Sequence, residues 1–161
     1  TSAALAGFLR PLLSEGINMV SAPAVARERG IAVEETTRGG EGAYHTYMRL
    51  TVETERQTRS VAGTVFSDGK PRLIQVKGIN MEAETTSHML YVTNKDKPGF
   101  IGQLGRLLGE AGVNIATFNL GRTAPGGDAI CLIALDEPVS DALLREVRAL
   151  PMVVGAHRLS F

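Results

Sequence analysis

The sequence is poor in the features that mark several large classes of protein. It has no tryptophan, and aromatic residues make up 5% of it, so it offers no aromatic series for stacking on nucleic-acid bases. Lysine and arginine together number 17, aspartate and glutamate also 17, and the formal net charge is zero. A protein that neutralises a phosphate backbone concentrates positive charge. No basic stripe is present here, and no nucleic-acid partner is expected. Long apolar runs are missing too. None approaches the ~20 residues of a spanning helix, and Thr1 to Arg10 lacks the charged start, apolar core and cleavage site of a signal peptide. No membrane partner is expected. The single cysteine, Cys131, excludes an internal disulfide and a cysteine-based metal cluster, and fits a reducing, cytoplasmic setting. It lies in the apolar run Ala129 to Leu135, where a buried structural thiol is expected. No Gly-x-Gly-x-x-Gly follows a strand pattern, so no dinucleotide site is visible, and the glycines from Gly39 to Gly42 read as a turn. No nucleophile, base and orienting group stand at a recognisable spacing, and His45, His88 and His157 are dispersed. No catalytic residue and no metal ligand are assigned.

What is present divides into two patterns. The 161 residues suffice for one medium domain or two small ones. Leu5, Phe8, Leu9, Leu12 and Leu13 recur at helical spacing, which predicts a helix over 2–14, with Gly16 ending it. Ser21-Ala22-Pro23 and Gly30 bracket a second, short helix, with Ser21 as its cap. Ile31 to Thr37 reads as a strand and Arg38 to Gly42 as a flexible turn. Tyr44 to Glu53 alternates, with Met48, Leu50 and Val52 on one face. Arg59 to Phe66 and Arg72 to Lys77 follow as strands joined by the hairpin turn Ser67-Asp68-Gly69. Glu82 to Ser87 is short and polar, and the domain boundary is placed there.

Beyond it, His88 to Thr93 is a compact apolar strand and Asn94 to Gly99 a polar loop. Phe100, Leu104, Leu107 and Leu108 give helical spacing, and Gly112 stops that helix. Val113 to Gly121 and Asp128 to Leu135 are strands on either side of the turn at Ala124 to Gly127. Ser140 caps a helix carrying Leu143, Leu144, Val147 and Leu150, with Pro151 just past its end. Met152 to Leu159 is a last strand. The fold class is α+β, with two small domains over 1–84 and 88–161. The second has the βαββαβ order of a ferredoxin-like fold, two helices on one face of a four-stranded sheet.

The stretch richest in chemistry is Asn94-Lys95-Asp96-Lys97-Pro98-Gly99-Phe100, between a strand and a helix. Pro98 presets a helix start, and Gly99 lets a ligand approach the main chain. Free N–H groups at the helix N-terminus favour an anion such as an α-carboxylate. Asp96 fits either a helix cap or the holder of an α-ammonium, and Asn94 suits either end of a zwitterion. Asn114 fits either a turn before the next strand or a ligand contact. In a split βαβ unit that position lies at the opposite end from the 94–99 loop, so the two meet only across a subunit contact.

The same residues carry a resemblance. Asp96-Lys97-Pro98-Gly99, the apolar helix after it and Gly112-Val113-Asn114-Ile115 resemble the start of an ACT domain, and the likeness covers 88–161. The run TFNLGRTAPGGDAICLIALD and the ending HRLSF are similar to long-form bacterial D-3-phosphoglycerate dehydrogenases. INMVSAPAVARERGIAVEE is similar to the intervening, allosteric substrate-binding domain of that family. The resemblance implies that L-serine, or a similar small amino acid, binds where two ACT domains meet across a twofold axis. By position, Asn94 and Asp96 would contact it from one subunit and Asn114, followed by Ile115, from the neighbour. Lys97, Pro98, Gly99 and Phe100 would frame the pocket. Asn94 stands where family members also carry histidine or tyrosine. Some members bind phosphate or substrate at a basic cluster between the two domains. Arg72 matches one of those positions, whereas Glu84 and Ala134 fall where other basic residues would be, so the resemblance carries no second anion site here.

The resemblance further implies a homo-oligomer, feedback control by the bound amino acid, and a parent enzyme using NAD. No cofactor is assigned to these residues themselves. Because a helical pattern begins almost at Thr1, the catalytic nucleotide-binding and substrate domains of the parent are expected to precede it. Two other readings are open from the residues alone. One is an oligomerisation module that binds no ligand. The other is the regulatory region of an L-serine dehydratase, which carries the same pair of domains.

Overall fold

A computed structural model of the chain describes residues 1–13, 16–37, 44 and 46–161. It forms two compact units, Thr1–His45 and Thr46–Phe161. The expected turn at 38–42 and His45 lie outside the described residues.

In the first unit, α1 (Ser2–Leu9) and α2 (Ala22–Glu28) pack through Ala6, Leu9, Ala22 and Ala26, all buried. The first helix is shorter than its apolar spacing predicts. Pro11 has no N–H to continue the ladder, and the Leu12 and Leu13 N–H groups both fold back onto the Leu9 carbonyl at 3.0 Å. Ser21 precedes α2 but does not cap it. Its hydroxyl donates to the Gly16 carbonyl at 3.2 Å, while the Asn18 carboxamide oxygen accepts from the Val20 and Ser21 N–H groups. The strand expected over 31–37 does not form. Residues 32–37 are exposed and no described strand pairs with them, so their β propensity has no ladder to join.

The second unit holds two four-stranded antiparallel sheets. In the first sheet, β1 (Met48–Glu53), β2 (Thr58–Val65), β3 (Pro71–Val76) and β4 (Ile79–Glu84) follow one another as a meander. β4 departs from the expected polar boundary segment. Ile79, Met81 and Ala83 point inward, while Asn80, Glu82 and Glu84 point out, a period of two that half of a strand's surface requires.

The second sheet runs β6–β7–β5–β8, formed by β5 (Met89–Lys95), β6 (Ile115–Arg122), β7 (Asp128–Leu135) and β8 (Val153–Leu159). Its helices are α3 (Phe100–Glu110) and α4 (Asp141–Ala149). This is the ferredoxin-like order read from the sequence. Leu90 and Val92 of β5 meet Phe100, Leu104 and Leu108 of α3 and Leu143, Leu144 and Val147 of α4 in the main core. The opposite face buries Met89, Ile130 and Leu132 against Ile79, Met81 and Ala83 of β4. The second sheet is therefore the middle of three layers, and the boundary placed at 82–87 runs between the two sheets of one unit. β7 is covered on both faces, and every residue from Ala129 to Leu135 is buried. That explains why its sequence is a continuous apolar run and does not alternate. Among the described residues no helix is long and apolar enough to cross a membrane.

Candidate functional site

The loop after β5 is fixed by main-chain bonds before any side chain acts. The Lys95 N–H donates to the Met152 carbonyl and the Asp96 N–H to the Gly127 carbonyl, each at 2.9 Å. Asp96 Oδ2 then accepts from Arg122 Nη1 at 2.7 Å and from the Gly126 N–H at 3.1 Å. The Arg122 guanidinium, with help from that N–H, holds the Asp96 carboxyl below the ordinary aspartate range. Asp96 is therefore ionised at neutral pH, and its second carboxylate oxygen has no donor among the described residues.

Lys97 and Pro98 are exposed. Gly99 adopts φ 92°, a left-handed backbone that glycine takes without strain, and turns the chain into α3. The Gln103 N–H closes the first helical turn on the Gly99 carbonyl at 3.0 Å. Among the described residues the Ile101 and Gly102 N–H groups have no acceptor, which leaves a partial positive charge beside Asp96. Phe100, at 2% exposure, is a core residue that anchors the helix.

Asn94 lies deeper than its neighbours. Its side chain is on the helix-facing side of β5 and the residue is 2% exposed. Its Nδ2 donates to the Lys95 carbonyl at 3.0 Å, and its Oδ1 accepts from the Cys131 thiol at 3.7 Å. Burial pushes that thiol up to about 12 and keeps it protonated. Within one chain Asn94 therefore forms the floor beneath the loop.

Asn114 and Ile115 stand elsewhere. Asn114 is exposed just before β6, where its Nδ2 donates to Asp136 Oδ2 at 2.6 Å; Ile115 is half-buried at the start of the strand. Arg122, the partner of Asp96, ends the same strand. Eight residues of β6 thus separate Asn114 from Asp96, roughly 25 Å of strand. The structure brings 94–100 together and holds Asn114 and Ile115 at the other end of the sheet. The sequence reading did not single out Arg122 or Gly126. No local pattern marks them, because only the β6–β7 hairpin carries them to Asp96. Arg72, the basic residue matched to an anion site, is taken up by Asp68 at 2.6 Å and Glu84 at 2.9 Å. Nor do the described residues fit a dinucleotide. Both sheets are antiparallel, and the strand-to-helix loop at 95–100 has a single glycine.

A four-stranded sheet in this order, two helices on one face and a D-x-P-G loop entering the first helix define an ACT-type domain of ferredoxin-like fold. The sequence matches the ACT domain family over residues 88–151 and the D-3-phosphoglycerate dehydrogenase intervening domain family over residues 1–77, so the chain carries these two domains in tandem. It is 34% identical to the D-3-phosphoglycerate dehydrogenase of Bacillus subtilis (strain 168), over 96% of this chain and 30% of that protein. It is 37% identical to the enzyme of the same name from Synechocystis sp., over 96% of this chain and 28% of that one. The corresponding Methanocaldococcus jannaschii protein is 32% identical over 92% of this chain and 28% of its own length. The chain thus spans less than a third of the length of these curated relatives.

Proposed function

We propose that this chain is a regulatory region of a D-3-phosphoglycerate dehydrogenase and that L-serine binds where two of its ACT domains meet. One observation carries the reading. β6 is an edge strand of its sheet, with Asn114 before its first residue and Arg122, paired with Asp96, as its last. Two edge strands that pair across a twofold axis perpendicular to their sheet run antiparallel, so the start of one lies beside the end of the other. Asn114 of one protomer then reaches the Asp96 loop of its partner, and two equivalent sites form.

In such a site the free oxygen of Asp96 takes the α-ammonium. The open N–H groups at the start of α3 favour the α-carboxylate, and Asn114 supplies a carboxamide able to bond to either group or to the hydroxyl. Lys97, Pro98 and Gly99 form the rim, and Asn94, Phe100 and Ile115 its floor and side. Regulation requires that serine bind one arrangement of the two domains better than another. NAD and the phosphorylated substrate are assigned to the parts of the parent enzyme outside these residues.

Calorimetric titration of the chain with L-serine is the test. Saturable heat and a rise in melting temperature are expected; neither at millimolar serine would remove the proposal. Asn114→Ala separates it from an oligomerisation module without ligand. The variant is expected to lose serine binding and keep the dimer mass measured by light scattering.

A further inference from the structure

The inner face of the first sheet is unevenly covered. β4 is packed on the second sheet, whereas Leu50 and Val52 of β1 and Val61 of β2 stand outside that core and are only partly buried. They line a groove of about 470 Å³. Its opposite wall includes Tyr91 and His157, register partners on β5 and β8 whose rings are 6.3 Å apart. Arg59 and Lys77 also line it, and no carboxylate does among the described residues.

Two observations at Lys77 call for a ligand. The first is its backbone. Lys77 has φ 51°, the one non-glycine residue with positive φ among those described, and forms with Gly78 the two-residue turn between β3 and β4. That position favours asparagine, aspartate or glycine, so a lysine there runs against local preference, a pattern found at functional sites. The second is its charge. The ammonium lies 5.9 Å from the centre of the Tyr91 ring, and burial together with the Arg59 guanidinium holds it below the ordinary lysine value. Neither Arg59 nor Lys77 forms an ion pair among the described residues. The carboxylate that acts on Lys77, Asp128, is itself paired with Lys95.

Two like charges above an apolar floor and beside an aromatic wall focus a positive potential. We propose that this groove binds a small organic anion, a carboxylate or phosphate on an apolar or planar body. Arg59 and Lys77 hold the charged group, and Leu50, Val52 and Tyr91 cover the body. The site is separate from the Asp96 loop, from Asn114 and from Arg72.

Phenyl phosphate and benzoate, titrated calorimetrically into the whole chain, are the probes, with inorganic phosphate as the bare ion. Lys77→Asn removes the charge but suits the turn, so folding is retained; Arg59→Gln is the second variant. At least one probe is expected to bind in the millimolar range or tighter, about tenfold more weakly to each variant. Inorganic phosphate is expected to bind about tenfold more weakly than phenyl phosphate, and the stronger of the two probes identifies the preferred head group. No heat from either probe at about 10 mM, or equal binding to the wild type and Lys77→Asn, overturns the proposal. So does equal binding of inorganic phosphate and phenyl phosphate. L-serine heat is expected to be the same in Lys77→Asn and wild type, which keeps this result distinct from the ACT site.

Discussion

Asp96 carries a charge that the fold has already engaged. Arg122 lowers its pKa, as Arg72 lowers that of Asp68 and Lys95 that of Asp128. A carboxyl with a depressed folded-state pKa adds stability above the ordinary carboxylate range, and that stability is lost as pH falls through the folded value. The urea midpoint of the wild type is therefore expected to drop between about pH 5 and about pH 3, and to drop less in Asp96→Asn. Equal losses would show that the Arg122 pair contributes nothing. Cys131 gives a second check at this scale. With its thiol pushed up to about 12 and fully buried, it is expected to resist thiol reagents in the native protein and react once unfolded. Gly121 gives a third. A Cβ there would stand 2.6 Å from both the Asn80 carbonyl and Ile79 Cγ2, so Gly121→Ala forces β6 away from β4. A loss of about 1–3 kcal/mol in urea unfolding is expected. Glycine was visible at 121 in the sequence, but the reason for it was not, since the carbonyl it admits belongs to another strand.

At the scale of elements, the second half was legible and the first only partly so. Ser140 caps α4 as its position predicts, its Oγ accepting from the Leu143 N–H at 3.1 Å. Ser140→Ala is expected to cost about 1 kcal/mol in chemical denaturation. Gly109, inside α3, has open space where a Cβ would point. Gly109→Ala is expected to stabilise the chain by about 0.5–1 kcal/mol, because alanine loses less backbone freedom in a helix. Helices and strands of the ACT domain showed clearly because each has its own period and its own stop. β4 was missed for the opposite reason. Its six residues alternate, but its outward positions are Asn80, Glu82 and Glu84, and the polar tail beyond them hid the inward triplet. Ser21 and the 31–37 segment failed through local competition and lack of a partner, which propensity does not register.

At the scale of the molecule, the proposed amino-acid site needs two chains. Asp96→Ala and Asn114→Ala each remove half of every site, so neither variant alone is expected to bind serine. Mixed after partial unfolding and refolding, they form hybrid dimers holding one complete site, and serine heat is expected to return. Continued silence of the mixture, with hybrid dimers shown by mass, would exclude a site shared in this way. The sequence by itself determined the order of elements from 88 to 161, the polar loop at 94–99 and the thiol's place in an apolar run. These depend on neighbours a few residues apart, which the chain carries in its own periodicity. Only the tertiary structure decided that Arg122 neutralises Asp96, that Asn94 is buried beneath the loop, and that Asn114 stands a strand's length away. It also set a second sheet over β7 and left Arg59 and Lys77 facing one groove. Those relations join residues from different strands, and no spacing along the chain records which strands will meet.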